Sequence, residues 1–143
     1  MEQFVKGGAF LIESIFPQEV FTPEDFNEEQ RLIAKAVTEF VVGEVQPVSD
    51  DIEEKKEGLL PSLLKKAGEL GFLGADIPEE YGGQDLDKVS SLLVWEKMAQ
   101  GGGSFMSSFG AHTGIGSLPL VFFGTKDQKR RYLPKMATGE IIG

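Results

Sequence analysis

The sequence contains no cysteine, which excludes disulfides, thiolate-bound metals and a cysteine nucleophile. His112 is the only histidine, so an imidazole-rich metal centre cannot be assembled and a serine triad would have to be built on that one residue. Uninterrupted apolar runs are short of the ~20 residues of a membrane span. Near the start, Phe4-Val5 and Ala9-Phe10-Leu11-Ile12 are apolar and lie beside Lys6, but Glu13 cuts the run and no small-residue cleavage site follows. The location expected by default is cytoplasmic. Basic residues are the minority, 14 against 23 acidic, giving a formal charge of -9. A surface of that sign repels nucleic-acid phosphates and anionic bilayers, so neither is an expected partner. Also missing are a dinucleotide G-x-G-x-x-G after a strand, a Walker A loop, H-E-x-x-H and a calcium loop.

What remains is the composition of a folded domain: 143 residues, 41% hydrophobic and 26% charged, with 11 phenylalanines. A chain of this size buries roughly 70% of its unfolded surface, enough for one core. Residues 1–21 form an arm, expected to pack on its own or a neighbouring domain. From Thr22 the punctuation is helical. Thr22-Pro23-Glu24-Asp25 offers a capping hydroxyl, a proline for the first turn and acids for the positive dipole end, so a helix begins there or one turn later. Leu32, Ile33, Ala36, Val37, Phe40, Val41 and Val45 recur at helical spacing and form its apolar stripe. Pro47 kinks or ends it, while Val48 and Ile52 keep the phase towards Lys55.

Pro61 opens a second helix with Leu60, Leu63, Leu64, Ala67 and Leu70 inward and Gly71 as a left-handed cap. The run from Ile77 to Gly83 is too rich in proline and glycine for a helix interior. Asp87 caps a third helix carrying Val89, Leu92, Leu93, Trp95, Met98 and Ala99, with Glu96 on the same inner face and therefore expected to be buried and hydrogen-bonded. After Gly101-Gly102-Gly103, Ser104 is read as the cap of a fourth helix that bends at Pro119 and ends near Phe123. Thr125-x-x-Gln128 is the capping box of a fifth helix that passes Pro134 and ends near Gly139. The fold class is all-α, a bundle of about five to six helices. Glu140-Ile141-Ile142-Gly143 looks like the start of a strand, and the chain reads as the front of a longer protein.

Chemistry is sparse. His112 sits mid-helix with no nucleophile elbow nearby and reads as a packed, hydrogen-bonded side chain. The acidic stretch 50–57 contains two lysines and reads as a solvated face. No residue is assigned a catalytic, cofactor-binding or metal-binding role. The fourth helix holds one oddity. Ser107, Gly110, Ala111, Gly114 and Ser117 fall near one face beside Phe105, Met106 and Phe109. Glycine costs about 1 kcal/mol relative to alanine in a helix interior, so something offsets Gly110, Gly114 and Gly116. Close approach by a neighbouring helix is one reading; room for a ligand is the other.

Four segments together resemble the amino-terminal domain of acyl-CoA dehydrogenases. They are Phe26-Asn27-Glu28-Glu29-Gln30; Glu69-Leu70-Gly71-Phe72-Leu73-Gly74 with Ile77-Pro78-Glu79-Glu80-Tyr81-Gly82-Gly83; Phe123-Gly124-Thr125-Lys126-Asp127-Gln128-Lys129 with Tyr132-Leu133-Pro134; and Ala137-Thr138-Gly139-Glu140. Lys6-Gly7-Gly8-Ala9-Phe10-Leu11-Ile12-Glu13 and Gly110-Ala111-His112-Thr113-Gly114-Ile115-Gly116 further resemble the very-long-chain branch. The resemblance implies residues 22–139 as the helical domain and 140–143 as the start of a middle β-domain. It also implies a parent that oxidises fatty acyl-CoA between its α and β carbons, with FAD taking the hydride and an electron-transfer flavoprotein taking the electrons. A homo-oligomer is expected. In the family the flavin contacts and the glutamate base lie in later domains, so this stretch alone is expected to be inactive and flavin-free. Its implied contribution is a wall of the acyl tunnel made by Ser107, Gly110, Ala111, Gly114 and Ile115. A free-standing helical interaction module, or the same domain from a flavin oxidase or monooxygenase, stays open on sequence alone.

Overall fold

The structure, a computed structural model, describes Val5 and residues 7–143. Phe4 and Lys6 lie outside the described residues. Helix α1 (Glu28–Phe40) starts one turn after Thr22, because Pro23–Asp25 closes a separate 3-10 turn and Asn27 supplies the cap. The Asn27 side chain accepts from the Gln30 N–H at 2.8 Å, and the Gln30 side chain accepts from the Asn27 N–H at 3.0 Å. The winding does not stop at Phe40. It widens into a π turn, Val41–Val45, tightens to a 3-10 turn, Gln46–Val48, and resumes as α2 (Ser49–Glu53).

Helix α3 (Leu59–Glu69) begins two residues before Pro61 and ends at Gly71, whose φ of +84° is the left-handed conformation that glycine adopts without a Cβ penalty. Two 3-10 turns, Phe72–Gly74 and Glu79–Tyr81, lead to α4 (Lys88–Met98). Asp87 caps α4, accepting from the N–H groups of Val89 at 2.8 Å and Ser90 at 3.1 Å. Burial pushes the Asp87 carboxyl up, but those bonds and the Ser90 hydroxyl outweigh it and hold it below the usual range. Helix α5 (Gly103–Gly110) runs through a second π turn, Ala111–Gly116, into α6 (Leu118–Phe123), and α7 (Lys126–Ala137) follows the Thr125–Gln128 capping box.

Two apolar clusters hold these elements. The larger joins α1 and its π turn (Val37, Phe40, Val41, Val45) to α3 (Leu63, Leu64), α4 (Val94, Met98) and α5 (Phe105, Phe109). The smaller packs Ile77 and Tyr81 on Leu133, Met136 and Ala137 of α7. Between them α3 crosses the end of α7 so closely that a Cβ on Gly68 would lie 2.5 Å from the Thr138 carbonyl. Glycine is needed there for space.

Several expectations are corrected. In α4 the inward residues are Ser90, Ser91, Leu93, Val94 and Met98, whereas Leu92 and Glu96 face solvent and Glu96 pairs with Lys97 at 2.9 Å. Apolar residues surround α4, so period alone sets no phase, and two small serines satisfied within their own turn take the inner positions. The α1 stripe is centred on Val37 and Val41, leaving Leu32 and Ala36 at the exposed rim; Leu70, at the last turn of α3, is also exposed. Ser104 is not a cap: α5 starts at Gly103, and the Ser104 hydroxyl donates to Glu53 at 2.8 Å. Residues 140–143 form no strand; the Ile141 N–H bonds to the Lys135 carbonyl of α7, and no strand occurs among the described residues.

Candidate functional site

The second π turn organises the site. A π turn adds a residue to the helical repeat and opens the backbone, and such bulges recur at functional positions. Here the Ser117 N–H reaches the His112 carbonyl at 2.9 Å. Hydroxyls of Thr113 and Ser117 return to the carbonyls of Phe109 and Thr113 at 2.9 and 3.0 Å, supporting the widened winding.

One side of this segment faces a shallow, open groove of about 690 Å³, lined by Ser107, Gly110, Ala111, Gly114 and Ile115 with Trp95, Ala99 and Met106. All five residues expected to form the tunnel wall thus border one groove. Ser117 does not join them, because the extra residue in the turn rotates it into the interior, where it is 1% exposed. Ile115, at the opposite extreme, is 83% exposed.

Trp95 is the part that sequence reasoning missed. Its indole lies on the notch left by the two glycines: a Cβ on Gly110 would sit 3.3 Å from the ring and one on Gly114 3.5 Å from it. An edge contact to Phe109, with centroids 6.3 Å apart, fixes the ring from behind. The missing glycine side chains therefore admit a neighbouring helix and leave an apolar floor open to solvent. A Gly-x-x-x-Gly spacing opposite a lone tryptophan was the available signal.

The other side of the π turn holds His112, fully buried. The Gly143 N–H donates to Nδ1 at 3.1 Å, so the proton is on Nε2, which donates to the Met136 carbonyl at 3.0 Å. Burial lowers the imidazole pKa from its ordinary 6.5, opposed by the bond to Met136. With both nitrogens engaged in this geometry, His112 is a structural bridge, as its mid-helix position suggested.

Among the described residues no His, Asp or Glu cluster fits a metal ion, and no helix is long and apolar enough to cross a membrane. The π-turn groove has no charged lining, and the grooves beside Lys66 and beside Lys55 and Lys56 also contain glutamates, so none of these three is built for a pyrophosphate.

The helical fold of this chain recurs in known proteins. A probable acyl-CoA dehydrogenase of Bacillus subtilis is 55% identical over 137 residues, which are 96% of this chain but 23% of that protein. The crystal structure of an acyl-CoA dehydrogenase complexed with FAD from Bacillus anthracis superposes with a TM-score of 0.89 at 54% identity, covering 96% of this chain and 24% of that one. The mitochondrial isovaleryl-CoA dehydrogenase of Bos taurus is 35% identical over 118 residues, 82% of this chain and 28% of its own length. This chain thus spans less than a quarter of the two Bacillus proteins and less than a third of the bovine one. Residues 27–140 match the family described as acyl-CoA dehydrogenase, N-terminal domain, and the chain belongs to that family.

Proposed function

We propose that this chain is the amino-terminal helical domain of an FAD-dependent acyl-CoA dehydrogenase, and that its π-turn groove forms one wall of the tunnel for the acyl tail. The observation that carries the reading is the groove itself: an uncharged trough floored by Trp95 and bordered by Ser107, Gly110, Ala111, Gly114 and Ile115. Such a wall excludes water and orients an apolar tail. FAD supplies the hydride acceptor in the parent. The three grooves described above offer no uncompensated cations for its pyrophosphate, so no chemical step is assigned to this chain, which alone should show no visible flavin absorbance.

Residues 22–139 are the helical unit in this reading, residues 1–21 its arm, and 140–143 the passage to a β-rich middle domain. We place the parent in the cytoplasm, as a homo-oligomer passing electrons to an electron-transfer flavoprotein. We assign it to the very-long-chain branch of the family, on the resemblance carried by residues 6–13 and 110–116 and on the uncharged lining of the groove. The test is to replace Gly114 by leucine in the intact parent and measure kcat/KM along a series of acyl-CoA lengths. Long chains should lose selectively, each excluded methylene being worth up to ~0.8 kcal/mol, about fourfold. An equal loss at every length would assign the glycines to packing against Trp95 alone and end the tunnel reading.

A further inference from the structure

Residues 7–16 place large apolar side chains on the outside of a fixed backbone. Phe10, Leu11, Ile12 and Phe16 are 45, 75, 89 and 67% exposed, and among the described residues none of the arm joins either apolar cluster. The strap is folded on itself and meets the rest of the domain at its end. The Val5 N–H bonds to the Glu19 carbonyl at 2.8 Å, the Glu19 carboxylate accepts from the Phe16 N–H at 2.6 Å, and the Phe21 ring lies 5.8 Å from that of Phe26. So dense a set of uncovered apolar groups marks an interface.

The relatives indicate what covers it. The family match begins at residue 27 and omits the arm. In the two Bacillus proteins the match takes in 96% of this chain, yet it makes up only 23% and 24% of their length. In seven other relatives the match takes in 81–83% of this chain and makes up 28–32% of their length. The wider match is the smaller share, so the proteins that match the arm are the longer ones, by far more than the arm itself adds. We propose that the apolar face of the arm docks onto that additional segment within the same parent polypeptide. A bilayer is a poor alternative, because Glu13, Glu19, Glu24 and Asp25 flank the apolar residues in a chain of net charge -9. A second copy would not account for the association with length. The inference rests on the family assignment but not on the acyl groove, so the two can fail separately.

Hydrogen exchange on the full-length parent tests it. Amides of residues 9–16 should exchange roughly tenfold or more slowly in the intact protein than in a variant lacking the residues without counterpart in the shorter relatives. Peptides from α1 and α4 should stay protected in both. The double variant L11D/I12D in the intact parent should release the arm equally and also speed exchange at its contact in the additional segment. If the deletion unfolds α1, the double variant decides alone, and an arm that stays protected in it overturns the proposal. So do equal arm exchange with and without the segment, protection that vanishes on dilution to monomer, protection that needs phosphatidylcholine vesicles, and a parent whose mass corresponds to the shorter relatives.

Discussion

The two interrupted helices of this domain use one backbone device for opposite ends. In both, an α-helix widens into a π turn a few residues before a proline: Val41–Val45 before Pro47, and Ala111–Gly116 before Pro119. The proline ring clashes with the carbonyl four residues earlier in a regular helix. The widened turn moves that carbonyl aside, and the helix continues instead of breaking. In the first segment Val41 and Val45 anchor the turn in the larger apolar cluster, while Val42, Gly43 and Glu44 stay exposed. In the second, His112 and Thr113 face inward while Gly110, Gly114 and Ile115 leave an open trough. A π turn is therefore a solution to a proline, and the side chains placed on it decide whether a site results.

The largest expected effect comes from removing what both segments share. Phe105 is fully buried and its ring lies 6.3 Å from Phe40 and 6.4 Å from Phe109. Phe105→Ala should cost about 3–5 kcal/mol in urea unfolding. A loss below about 1 kcal/mol would mean that the two segments are not coupled through this ring.

A middle-sized effect separates the segments by pH. Because burial lowers the His112 pKa in the folded state, the unfolded chain binds the proton more tightly, so stability is full above the ordinary value of 6.5 and falls as pH drops through the folded value. His112→Leu should cost about 1–3 kcal/mol at neutral pH, since the Met136 carbonyl and Gly143 N–H lose their partner. It should also flatten that part of the pH dependence. Unfolding curves at neutral and mildly acidic pH that respond alike in both proteins would contradict the buried neutral imidazole.

The smallest effect compares two glycines. A Cβ on Gly43, in the first π turn, would meet nothing within 4 Å, whereas one on Gly110 would press the Trp95 ring at 3.3 Å. Gly43→Ala should add up to about 1 kcal/mol of stability, and Gly110→Ala clearly less. Equal gains in melting temperature would show that Trp95 does not set the width of the notch.

Features that depend on near neighbours were legible in the sequence. Asp87, Thr125 and Gly71 act within one turn of themselves, and each takes the part its sequence context implies. The five groove residues were legible for a similar reason, since four of them recur at helical spacing on one segment. The phase of α4 was not, because its apolar groups point all round and only packing by α1 selects Ser90 and Ser91 as the inner pair. The uncounted residue of the π turn moves Ser117 off the face that regular winding predicts. Trp95 reads as a core residue of the third helix, but its place beneath Gly110 and Gly114 depends on tertiary contact between helices that are separate in sequence. Ile141-Ile142 reads as a strand by composition, yet α7 takes up its backbone first.

His112 also turns the domain into its own spectroscopic instrument. With one imidazole in the sequence, nitrogen resonances of that ring carry no overlap from other histidines, and its two nitrogens watch different places. Nε2 senses α7 through Met136, and Nδ1 senses the backbone at Gly143. In this chain a shift confined to Nδ1 reports a change at residue 143, while a shift confined to Nε2 reports a movement of α7, each read from a single labelled side chain.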